Sequence, residues 1–256
     1  MKKLLVVIAL LCAVFFTTAD AETLAGRMWE SYNLTALISP ELSFTVMPGV
    51  RWEFGDDAAT PVGTYFEELF VGPTYTLQLS DNFKVKLPVW YYFMGFPSAS
   101  KGTYNFSHNL EIMPTLEYKI NPSLMISSRS IFHNTFYASM NNSSGWSTLL
   151  REMVLVNYTA ATGFTVFAGD EIFVGLITDP NNPGTYGPGF SPSGLDENRI
   201  YAGFTYKISP EFSITSQYIY STTYKANAGV NNAANGIPNV SAHNFYLTMT
   251  YLFKTY

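Results

Sequence analysis

Cysteine is nearly missing from this chain: the single Cys12 lies inside the N-terminal apolar run, so the remainder has neither a disulfide framework nor thiolate chemistry. Histidine is scarce, and His108, His133 and His243 are too dispersed for a helical zinc motif. Charge is thin at 13% and leans acidic, with 14 Lys+Arg against 19 Asp+Glu, which argues against a nucleic-acid partner. Past the N-terminus no apolar run reaches the length of about 18 residues that a spanning helix needs. Catalytic signatures are missing as well. The stretch "GFSPSG" (189–194) fails G-x-S-x-G because Ser193 stands where the second Gly belongs, and the Gly-rich stretch 184–194 lacks the Lys and helix start of a phosphate loop.

What is present begins with a leader. Lys2 and Lys3 precede "LLVVIALLCAVFF" and the small-x-small site Ala19-Asp20-Ala21, which reads as a secretory signal peptide over residues 1–21. Cleavage there removes Lys2, Lys3 and Asp20, leaving 12 basic and 18 acidic residues and a formal net charge of −6. The mature part, 22–256, is long enough for one all-β domain and is rich in aromatics, with 18 Tyr and 20 Phe in the whole chain.

Alternation dominates that part. Leu42, Phe44, Val46, Val50, Trp52 and Phe54 fall on one face of residues 42–54, against Ser43, Thr45, Gly49, Arg51 and Glu53. Residues 83–95 and 198–208 repeat the pattern, and both exceed the usual globular strand length. The strands are punctuated by related words: "ISPELSF" (38–44), "LSDNFKV" (79–85), "INPSLMI" (120–126), "ATGFTV" (161–166) and "KISPEFSI" (207–214). Counted between equivalent residues, the steps are 41, 41, 41 and 47, a period that marks a repeated supersecondary unit. Between the words run longer polar stretches at about 55–63, 96–106, 139–147, 178–196 and 225–241.

Short turns at one end and long loops at the other predict a transmembrane antiparallel up-and-down β-barrel with its short turns in the periplasm, the bacterial outer membrane being its destination. A secreted β-sandwich is the soluble alternative, but its strands would be shorter. The hairpin count gives ten strands from 42 to 253, with 12 possible. Residues 22–38 are left over: an extra strand, a segment inside the lumen, or part of a larger barrel.

The closing strand, with Phe245, Leu247, Met249, Tyr251 and Phe253 on one face, is similar to the C-terminal strand read by outer-membrane assembly machinery, although "KTY" follows Phe253. With "MWESY", "DENRIYAGFTYKISPEFSI" and "YLF", the mature chain resembles a family of bacterial outer-membrane barrels catalogued as a domain of unknown function, and more weakly the long-chain fatty acid transporters. The resemblance implies fold and location and supplies no catalytic residue.

Two constellations stand out. Arg51, Glu111, His133 and Arg199 each lie 11 residues from the proline of their turn, and Glu68, Arg151 and Glu171 fall near the same level. In register they form a mixed-charge belt, either a selective constriction or lumen ion pairs such as Arg151 with Glu171 and Glu171 with Arg199. Pro48, Pro73, Pro88 and Pro114 sit in four consecutive strands, where proline marks a bulge or, more sharply, a wall weakened towards lateral entry of lipid. His133 and Thr135 share a strand face as a base and hydroxyl could.

The reading is a narrow passive pore or transport protein for small solutes, neither an enzyme nor a cofactor protein, with the outer-membrane bilayer and assembly machinery as partners. A lipid-modifying enzyme, and a barrel binding surfaces through loops 178–196 and 225–241, are the alternatives.

Overall fold

The computed structural model describes residues 25–54, 63–98, 103–139, 143–179, 190–191, 193–224 and 239–255. The expected leader and most of the long loops, including those assigned to surface binding, lie outside this set. The strands are β1 (Ala25–Leu37), β2 (Leu42–Phe54), β3 (Gly63–Gln78), β4 (Phe83–Ser98), β5 (Thr103–Ile112) and β6 (Thr115–Asn121). They continue with β7 (Leu124–Ala138), β8 (Ser143–Ala161), β9 (Phe164–Ile177), β10 (Gly194–Lys207), β11 (Phe212–Tyr224) and β12 (Asn239–Lys254).

The repeated words are the short turns, and their chemistry is shared. Ser39 Oγ accepts the N–H groups of Glu41 and Leu42 at 3.2 and 3.0 Å and donates to the Glu41 carboxylate at 3.1 Å. Ser209 repeats this with Glu211 and Phe212 at 3.2, 3.1 and 3.0 Å. In the second word Ser80 Oγ accepts the N–H of Phe83 at 3.1 Å, and in the third Asn121 Oδ1 takes those of Ser123 and Leu124 at 2.9 and 3.0 Å. These side-chain caps stand in for the backbone bonds a tight reversal cannot make. The fourth word turns instead on Gly163, whose φ of +75° is open to glycine at little cost.

The strands close into a ring: β3-β2-β1-β12-β11-β10-β9-β8-β7 is completed through β5, β6 and β4, and β4 returns to β3. β5 and β6 occupy one lane, because their pairing with β4 keeps the same register on both sides of the break, Val89↔Ile112 and Lys86↔Thr115. The wall therefore has eleven lanes, where the turn count had ten. The added lane is β1, formed by the unassigned segment, which pairs antiparallel with β2 and parallel with β12 over Ala25↔Ala242 to Leu37↔Lys254. An odd number of lanes makes the first and last strands run the same way, so this one seam departs from the antiparallel rule.

Side chains alternate as the sequence implies. Tyr32, Leu34, Phe44, Leu87, Val154 and Tyr251 stand exposed on the outside, part of an apolar band far larger than a soluble monomer shows. Inside, Trp29, Met153, Tyr201 and Ile219 form one buried cluster, and Phe66, Phe70, Tyr92 and Met94 another. At these two clusters the lumen is filled by the barrel's own side chains.

The prolines behave differently from a row of bulges. Register shifts lie elsewhere, for example at Arg51/Trp52 and His108/Asn109. At Pro73, Pro88 and Pro114 the ladder is interrupted in register: Val71↔Tyr91 and Thr74↔Pro88 bracket one gap, and Met113-Pro114 separates β5 from β6. A proline removes a donor without demanding an extra residue. Met113 N–H still bonds Pro88 O at 2.9 Å, and Thr115 Oγ1 donates to Met113 O at 3.1 Å, covering the carbonyl that Pro88 cannot serve. Pro48 interrupts its ladder in the same way on one side: β1–β2 pairing passes in register from Ser31↔Gly49 to Leu34↔Val46, while on the other side Pro48 stays opposite Leu69.

Candidate functional site

All seven belt residues come together in the lumen. Arg51 Nη2 meets Glu68 Oε2 at 2.8 Å, and Tyr92 OH donates to the same oxygen at 3.1 Å. Directly across from Glu68 in register is Gly49, where a Cβ would lie 2.8 Å from Glu68 Oε1, so glycine is what lets the carboxylate reach its partner. The Tyr92 ring meets His133 edge-on at 5.6 Å, and His133 Nδ1 lies 2.9 Å from Glu111 Oε1. Arg151 then joins two carboxylates: Nη2 and Nε reach Glu171 Oε1 at 2.9 and 3.0 Å, and Nη1 lies 4.0 Å from Glu111. Tyr201 OH donates to the other Glu171 oxygen.

Arg199 stands opposite Glu171 in register, yet its fork is taken by Glu197, two residues back on the same strand, at 2.7 and 3.0 Å. Sequence reasoning expected Glu171 as the partner of Arg199 and missed Glu197. It also missed the aromatic platforms. Arg51 stacks on Trp29 and Phe66 at 4.0 and 4.2 Å, Arg151 on Phe173 at 4.7 Å, and Arg199 on Phe173 and Trp29 at 4.4 and 5.3 Å. Such stacking holds a guanidinium in place while leaving its N–H edge for a carboxylate. The i, i+2 spacing of Glu197, Arg199 and Tyr201 on one inner face was the available signal.

The belt is tight. Glu171 has no exposed surface and Arg199 keeps 6%. On its long-loop side Ser107, Asn109, Ser147 and Asn244 are wholly buried, and so is Phe190; the Ser191 N–H donates to Ser147 Oγ at 3.0 Å. On its short-turn side lies a cavity of about 440 Å³, with Asn157, Thr205 and Thr215 towards the turns and Arg51, Glu111 and Arg151 at the belt. This volume falls in the range that holds small ligands. The lumen is thus a cup beneath a charged, closed waist.

The His133–Thr135 pair is not arranged for hydroxyl activation. Thr135 Oγ1 donates to Asn109 Oδ1 at 2.7 Å and lies 3.4 Å from His133 Nε2, so its single proton is directed away from the imidazole. Both residues are buried beside the belt, outside the lining of the cavity. Among the described residues no group of His, Cys, Asp and Glu is placed to hold a metal ion.

A family model described as "Protein of unknown function (DUF2490)" matches residues 26–232. No curated protein matches the chain. A solved structure described as "NanC porin structure in rhombohedral crystal form" is similar to it with a TM-score of 0.47 and 12% identity, covering 88% of this chain and 98% of that chain.

Proposed function

This chain belongs to the DUF2490 family, and we propose that it is an outer-membrane barrel acting as a narrow passive channel for small solutes, with the charge belt as its constriction. The observation that carries this reading is the run of Arg51–Glu68, Glu111–His133 and Arg151–Glu171 pairs around the inner wall at the head of the cavity. Paired charges at one height set a transverse field that sorts solutes by charge and size. Such a belt passes solute only when its pairs part, so flux is slow and set by these side chains. In this reading the leader exports the chain, the outer face of β12 from Phe245 to Phe253 is what the assembly machinery reads, and no catalytic residue or cofactor is involved.

The test is swelling of liposomes carrying the refolded mature barrel, in small sugars and amino acids of graded size. Slow swelling that falls off sharply with solute size, and that Arg151→Ala accelerates, supports the channel. Liposomes that stay as tight as empty ones with both proteins rule it out.

A further inference from the structure

One lumen arginine is not accounted for by the belt. Arg51, Arg151 and Arg199 each meet a carboxylate within 3 Å. Arg129, four residues before His133 on β7, meets no carboxylate within 4 Å among the described residues and feels the Glu171 charge only from further off. Its Nη2 points at the thioether of Met153 at 3.5 Å, a weak acceptor, and its Nε, like that of Arg51, is buried without an acceptor. A buried donor left unmet is costly, and native proteins rarely keep one without a use.

The surroundings say what the missing acceptor would carry. Arg129 lines the cavity together with Phe70, Trp90, Met113, Ile131 and Met153. Ile131, Met113 and Trp90 follow one another around the wall from Arg129, since Thr115 pairs with Arg129 and Glu111 with both His133 and Trp90. The cavity thus sets the Arg129 fork beside an apolar flank; the carboxylates that also line it are engaged, Glu117 by Lys86, Glu68 by Arg51 and Glu111 by His133. We propose that it binds an organic anion, a carboxylate or phosphate monoester on a compact apolar body, with the anionic group on Arg129 and the body against Trp90 and Met113. Two oxygens of either group can take the two parallel N–H donors of the guanidinium fork, which is why arginine is the residue suited to them.

This deepens the channel reading by naming its solute class, but binding can be measured without transport. The mature barrel in non-ionic detergent is titrated calorimetrically with hexanoate, hexyl phosphate, 1-hexanol and inorganic phosphate. One of the two hexyl anions is expected to bind at one site, at least about tenfold more tightly than hexanol or inorganic phosphate, and Arg129→Gln to weaken it by about tenfold or more. Should Arg129→Gln fail to fold, Arg129→Lys takes its place, keeping the charge but losing the fork, and a several-fold weakening is expected. The proposal is overturned if neither hexyl anion outbinds hexanol and phosphate, or if the Arg129 variant binds as the wild type does. Either failure leaves the swelling result untouched, so the two readings fall separately.

Discussion

At the scale of single residues, the central question is what holds a carboxylate with no exposed surface. Glu171 is held by the Arg151 fork on one oxygen and Tyr201 on the other. Removing it leaves the largely buried Arg151 with the more distant Glu111, 4.0 Å away, which costs up to about 3–5 kcal/mol. Glu171→Ala is therefore predicted to lose about that much in urea unfolding from lipid vesicles, while Glu171→Gln, which preserves shape and one acceptor, loses less. Equal, small losses for both would show that the pair contributes no stability. Gly49 makes a second prediction: Gly49→Val must push Glu68 off Arg51, so it should destabilise by about 1–3 kcal/mol although the residue itself carries no charge. The belt's charges were legible in the sequence because charge is scarce and Arg51, Glu111, His133 and Arg199 sit at a constant distance from a turn proline, with Glu68, Arg151 and Glu171 near the same level. Their aromatic supports were not, since Trp29, Phe66 and Phe173 face inward in a chain where aromatics crowd the outer face as well.

At the scale of elements, the turns and the broken lane matter most. Ser39→Ala and Ser209→Ala each remove a hydroxyl that caps two N–H groups, and each is expected to cost about 1 kcal/mol, roughly additively because the two turns share no partner and β12 stands between their hairpins. Chemical unfolding of the two single variants and the double variant checks this, and strong non-additivity would contradict independent turns. Turn words were readable because Ser, Pro and Asn at fixed offsets have a local meaning. β1 was not readable as a wall strand. Its outward row carries Glu30 beside Met28, Tyr32 and Leu34, and its inward row carries Trp29 among Arg27, Ser31 and Asn33, so neither face is purely apolar or polar. The pairing that fixes it comes from β2 and β12, more than 200 residues apart at the seam.

At the scale of the whole molecule, eleven lanes place the two chain ends on opposite sides. β1 starts at the long-loop end with Ala25 and reaches the short turns at Leu37, and β12 also finishes at the short-turn end. With the short turns in the periplasm, a peptide tag placed just before Ala25 is predicted to be reachable by antibody on intact cells, and a tag after Tyr256 only once the outer membrane is permeabilised. The reverse pattern would contradict the seam or the orientation. On the proposed orientation the cavity lies in the periplasmic half of the lumen and the waist in the outer half, so among the described residues the waist, with Phe190 buried on its long-loop side, is the barrier a solute meets.

Single-channel recording across a planar bilayer tests that claim most directly. The account predicts brief, small conductance steps for the wild type, and larger, longer openings with altered ion selectivity for Arg151→Ala and Arg199→Ala, because each removes part of the waist. A barrel that folds and inserts yet stays silent in the wild type and in both variants would contradict it.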